Sequence, residues 1–185
     1  MYGLAWRMKA LTLLTLVFGG AASAQEQLRD VRPGNADVDG TRVRPGTWEV
    51  RYVRVANGTE QEVARVRQQL EVVERDGETL LRSVLKFGGP GGNGVDTAVA
   101  VRKTLQPRIH RGVRPDGSRL NIDFGDGWVS GRSVKKGEDA VAKRRDLEAP
   151  LFDANIFDIV LGSLPLREGL HVRIPTYVFE NDEGE

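Results

Sequence analysis

The sequence predicts a mainly β protein: a curved antiparallel meander, or half-barrel, with one amphipathic helix at about residues 153–164. Three observations predict it. Apolar and polar residues alternate with period two for about a hundred residues after Thr47, the mark of strands with one packed and one wet face. The breaks between these runs carry hairpin-turn pairs: Asn57-Gly58, Asp76-Gly77, Asp116-Gly117 and Asp126-Gly127. Only one later stretch changes to the spacing of a helix.

The elements follow in chain order. Residues 1–24 read as a secretory signal, with Arg7 and Lys9 near the start, an apolar run at 11–18, and Ala22-Ser23-Ala24 before a cleavage predicted after Ala24. The apolar run ends at Gly19-Gly20, short of the ~20 residues a bilayer needs. The mature product is therefore expected outside the cytoplasm, in the periplasm of a double-membraned bacterium, and not membrane-spanning. Residues 25–46 are polar and rich in turns, with Val-Arg-Pro-Gly at 31–34 and again at 43–46, and read as a flexible leader. Residues 47–180 form the single β-rich domain, and 181–185 an acidic tail. Strand faces are expected from Trp48, Val50 and Tyr52, with a phase slip to Val53 and Val55. Further faces come from Ala64, Val66, Leu70 and Val72, from Leu81, Leu85 and Phe87, from Val95, Val99, Val101 and Leu105, and from Leu120, Ile122 and Phe124. In the helix, Ile156, Phe157, Val160, Leu161 and Leu164 share a face. Asp153 is its expected N-cap, Phe152 and Phe157 a hydrophobic staple, and Pro165 its stop. Strand character resumes at 170–179, bent by Pro175.

Composition excludes several functions. The 185 residues include no cysteine, which removes disulfides, thiolate metal sites and thiol nucleophiles. Loss of Arg7 and Lys9 with the signal turns 27 basic against 26 acidic residues into 25 against 26, so no electrostatic case for nucleic acid survives. Gly88 to Gly94 lacks the Lys-Ser/Thr ending of a phosphate loop and reads as a hairpin loop. His110 and His171 have no acidic neighbour at metal-ligand spacing and are expected on the polar sides of strands. Ser130 and Ser133 flank Gly131 without a nucleophile elbow. Asp153 and Asp158 on one helix point about 140° apart and cannot flank one bond. Lys135, Lys136, Lys143, Arg144 and Arg145 are offset by Glu138, Asp139, Asp146 and Glu148, and read as a solvated hairpin tip. The expectation is no catalytic residue, no metal and no cofactor.

One segment is distinctive. Phe152-Asp153-Ala154-Asn155-Ile156-Phe157-Asp158, continued by Leu164-Pro165-Leu166-Arg167-Glu168-Gly169 and by Val172-Arg173-Ile174-Pro175, resembles a family of exported bacterial proteins of unknown function. The resemblance covers roughly residues 48–179 and implies a curved antiparallel sheet similar to the periplasmic lipoprotein-localisation carriers, whose half-barrel holds acyl chains. It lends no catalytic residues. Members of that family continue with more strands after the Ile-Pro strand, so the expectation is either a truncated product that lacks its last strands or a sheet left with an open edge.

Two functions follow. The first is non-enzymatic binding of an apolar or lipid-like ligand on the concave face, with Trp48, Tyr52, Leu70, Leu85, Phe87, Val101, Ile122 and Phe124 as candidate lining. The alternative is a structural or assembly module of the cell envelope that pairs with a protein partner through the open sheet edge.

Overall fold

Period-two alternation is realised as one eight-stranded antiparallel sheet whose strands neighbour one another in strict sequence order. The structure, a computed structural model, describes residues 29–88 and 92–179; the expected signal (1–24) and acidic tail (181–185) lie outside these. In chain order the elements are β1 (Arg29–Asp30), a 3-10 turn (Gly40–Arg42), β2 (Gly46–Ala56), β3 (Thr59–Arg75), β4 (Glu78–Gly88), β5 (Gly94–Val101), β6 (Pro107–Val113), β7 (Arg119–Gly125), β8 (Trp128–Val134) and β9 (Val141–Asp146). There follow β10 (Phe152–Asp153), a second 3-10 turn (Ala154–Ile156), α1 (Phe157–Ser163), β11 (Val172–Arg173) and β12 (Thr176–Tyr177). The sheet runs β2 to β9 and does not close into a barrel, leaving β2 and β9 as its edges.

Turn chemistry fixes the register. Asn57-Gly58 and Asp76-Gly77 have positive φ at both residues, as two-residue hairpins that follow strand twist require, and they set Ala56 opposite Thr59 and Arg75 opposite Glu78. The expected phase slip in the first strand is a register shift between Tyr52 and Val53.

One face of the sheet, hereafter the inner face, is covered by the segment around α1. Leu70, Leu81, Ala98 and Ala100 pack there with Phe152, Ile156, Ile159, Val160 and Leu164. A second cluster joins Leu120, Ile122, Phe124 and Val129 to Phe179.

Four expectations change on contact with this architecture. The supposed loose leader is tied down over residues 29–46. Val31 and Val38 are buried in the core under α1, β1 pairs in parallel with β11, and the backbone N–H groups of Gly34 and Gly40 donate to the carbonyls of Thr104 and Lys103. The helical face is Ile156, Ile159, Val160, Ser163 and Leu164; Phe157 is 44% exposed, so it forms no staple with the buried Phe152. The fifth strand has the opposite phase. Asp96, Ala98 and Ala100 face inward, whereas Val101 lies opposite Leu80 on the other side of the sheet with Val95 and Val99. Leu105, expected to extend that strand face, instead turns back into the core with a φ of 52°, held by its N–H to the carbonyl of Val101. Finally, the C-terminal strands do not extend the large sheet. They strap the lid, β11 to β1 and β12 to β10, and Phe179 is buried over Gly131, where a Cβ would sit 2.2 Å from the ring.

Candidate functional site

Inner-face side chains alternate along each strand, so register alone brings polar residues from four strands into one belt. Gln68 of β3 lies opposite Leu85, which lies opposite Asp96 of β5. One row further, Ser83 of β4 lies opposite Ala98, which lies opposite His110 of β6. Gln68, Ser83, Asp96 and His110 are all buried. The Gln68 amide donates to the Ser83 hydroxyl at 3.1 Å, which satisfies that half of the belt.

The other half is charged. Asp153, at the start of the lid, is 2% exposed and caps the 3-10 turn, its Oδ1 accepting from the Asn155 backbone N–H at 3.0 Å. The same Oδ1 lies 3.4 Å from His110 Nδ1, while Asp96 Oδ1 lies 3.7 Å from His110 Nε2. One imidazole is thus clamped between a carboxylate of the sheet and a carboxylate of the lid. Burial works against the imidazolium, but the Asp153 and Asp96 carboxylates outweigh it and raise the His110 pKa from 6.5 to about 9. The Asn155 carboxamide rests against the ring. Its Nδ2 lies 3.2 Å from Nδ1 and 2.5 Å from Nε2. Asp96 Oδ1 and Asp153 Oδ2 find no hydrogen-bond donor among the described residues. Gly112 is required beside it, since a Cβ there would meet Asp96 Oδ1 at 2.3 Å.

This cluster pins the lid to the sheet. Its four members supply no hydroxyl or thiol nucleophile, and among the described residues no group of three His, Cys, Asp or Glu side chains is arranged to hold a metal ion. His110 thus sits on the inner, buried face, contrary to the polar-side expectation, because its register partners are Ala98 and Ile122. His171 is exposed.

The eight expected lining residues separate into three groups. Leu70, Ile122 and Phe124 are filled core, with Phe124 edge-on to Tyr177 at 5.8 Å. Trp48 is half-buried at the margin of the cluster under α1, and Val101 points off the opposite face. Tyr52, Leu85 and Phe87 remain on the inner face beyond the lid, joined there by Val50 and Val66 through the register Val50, Val66, Phe87. None of these five belongs to the core under α1, and Tyr52 is 54% exposed.

An open antiparallel meander, with its lid strapped by β1, β11 and β12 and locked by a buried Asp-His-Asp clamp, defines the structural class. Within it, the chain belongs to the family described as protein of unknown function (DUF3108), whose model matches residues 47–182. No curated protein and no solved structure matches it.

Proposed function

We propose that the protein is an exported, non-enzymatic binding protein of the periplasm, cleaved after Ala24, that takes an apolar or lipid-like ligand on the open part of its inner face. The observation that carries this reading is the strip of Val50, Tyr52, Val66, Leu85 and Phe87. It spans three strands outside the core under the lid: Val50 and Tyr52 are exposed, Leu85 and Phe87 are half-buried, and Val66 is buried between Val50 and Phe87. The resemblance of the lid segment to exported proteins similar to lipoprotein-localisation carriers supports the same chemistry. Native mass spectrometry tests it on residues 25–185 purified from the periplasm without detergent, followed by organic extraction. A stoichiometric lipid mass lost on extraction is the expected result. An empty chain that also takes up no fluorescent acyl probe refutes it.

A second reading has its own observation: β2 is an edge strand of eleven residues, with Val53 and Val55 exposed. Such an edge suits an assembly module that adds a partner's strand. Crosslinking from β2 to one envelope protein supports it; a strict monomer with no crosslinked partner does not.

A further inference from the structure

Among the described residues only β3 pairs with β2, so one side of the β2 backbone has no strand beside it. Its eleven residues, Gly46–Ala56, include neither lysine nor proline, the residue types that most often keep an edge unpaired. The register shift at Tyr52/Val53 is taken up in β3, where Val63 has no opposite residue, so β2 itself runs on without a break. Trp48, Val50 and Tyr52 belong to the inner face and Glu49 and Arg51 to the outer one, and residues 49–52 are all exposed. Arg51 lies opposite a like charge, Arg65, and its ion pair is a long one: Glu62 at 3.9 Å, an acid that Arg65 already holds at 3.0 Å. The far edge of the sheet differs. β9 sets Lys143, Arg144 and Arg145 in a row, and two copies laid edge to edge there would bring cations together.

Two copies of β2 laid antiparallel, with Val50 against Val50, match on both faces. On the outer face, Glu49 of each copy falls opposite Arg51 of the other, so symmetry makes the charge pair twice and gives Arg51 the acid it shares in its own chain. On the inner face, Trp48 of each copy meets Tyr52 of the other on either side of the Val50 pair, which brings the exposed Val50 and Tyr52 into cross-strand apolar contact. Neighbouring registers fail. Centring on Glu49 or on Arg51 sets two like charges directly opposite each other, and centring on Trp48 or Tyr52 leaves both charges unmatched. We propose that β2 pairs antiparallel with β2 of a second copy of this chain, centred on Val50, and joins the two sheets into one. This rests on the edge-strand reading above and names the partner.

Sedimentation equilibrium of the mature chain and of two single variants, Glu49→Arg and Arg51→Glu, tests it. Both positions are exposed, so neither substitution touches the core. The parent is expected to dimerise. Each variant alone sets two like-charge pairs across the seam and should dimerise about tenfold more weakly. Mixed together, the two variants restore both Arg–Glu pairs, and the heterodimer should form about as tightly as the parent dimer. The chain has no cysteine, so a single introduced thiol reports the register: oxidised Val50→Cys should give a covalent dimer, whereas Val53→Cys, which falls opposite Thr47, should not. A parent that stays monomeric while β2 crosslinks to a different envelope protein overturns the second copy and leaves the edge-strand reading standing. A monomer with no crosslinked partner overturns both. A dimer that neither charge variant weakens, or that Val50→Cys fails to crosslink, is built on another surface and overturns the pairing.

Discussion

The Asp96–His110–Asp153 clamp makes stability depend on pH in a defined direction. In the unfolded chain His110 titrates near 6.5; in the folded protein it titrates at about 9, because two carboxylates outweigh the cost of burying the charge. A raised folded pKa means that the contribution is fully present below pH 6.5 and is lost as pH rises through about 9. The interval between those values, at about 1.4 kcal/mol per pH unit, makes the contribution about 3 kcal/mol. Urea unfolding between pH 6 and 9.5 should show a fall of that size. The work is best done in a His171→Gln background, so that one histidine titrates. His110→Gln should flatten the curve and lower stability at pH 6, because it leaves Asp96 and Asp153 buried and unpaired. The His110 ring resonances of the parent protein should titrate near pH 9. A ring that titrates at or below 6.5, or stability that stays flat to pH 9.5, refutes the clamp as a charged pair on both sides.

Other perturbations separate lid, core and strip. Asp153→Ala removes both a cap and one jaw of the clamp, and should cost about 3–5 kcal/mol in denaturant unfolding at pH 7. Phe152→Ala empties the space of a fully buried ring, for a loss of about 3–5 kcal/mol in the same assay. Gly131→Ala places a methyl against the Phe179 ring and should cost about 1–3 kcal/mol while exposing the C-terminal strap to protease. Tyr52→Asp and Phe87→Asp should abolish uptake of an acyl probe with little change in stability. Val95→Asp, on the opposite face, should leave uptake unchanged.

What was legible in the sequence was what local chemistry decides. Strands, hairpins and the Asp153 cap follow from alternation, turn pairs and a side chain within three residues of its partner. The misreadings arise where tertiary packing overrides a local signal. Val95, Val99 and Val101 look like a core face by hydrophobicity. Yet β5 lies beneath the 3-10 turn of the lid, and the small Ala98 and Ala100 face it there. That same 3-10 turn rotates the start of α1, so that Ile159 takes the buried position which spacing alone gives to Phe157. Val31 and Val38 were lost among prolines and glycines, because what they cover, the turn between β5 and β6, is remote in sequence. The clamp unites β5, β6 and β10, and no spacing rule reaches that far. Its one trace is Asp96, a charged residue in phase with two alanines.

The clamp also determines where a ligand can lie. With Gln68 and Ser83 it forms a polar belt across the inner face, between Leu70, Leu81 and Ala100 under the lid and Val50, Val66 and Phe87 beyond it. An uninterrupted apolar face would let the lid settle in more than one register, since hydrophobic contact has no direction. Buried charges that are satisfied only in one arrangement remove that freedom, because any slide of the lid leaves His110 or Asp153 without its partner. The same belt sets a boundary for an acyl chain on the strip, which would have to part the buried polar groups Gln68, Ser83 and Asp96 to go deeper. Lid position and ligand depth thus depend on one group of side chains. Loosening the clamp by Asp153→Ala should therefore both destabilise the fold and lengthen the acyl chain the protein accepts, whereas the equally destabilising Phe152→Ala leaves the belt in place and should not shift chain-length preference.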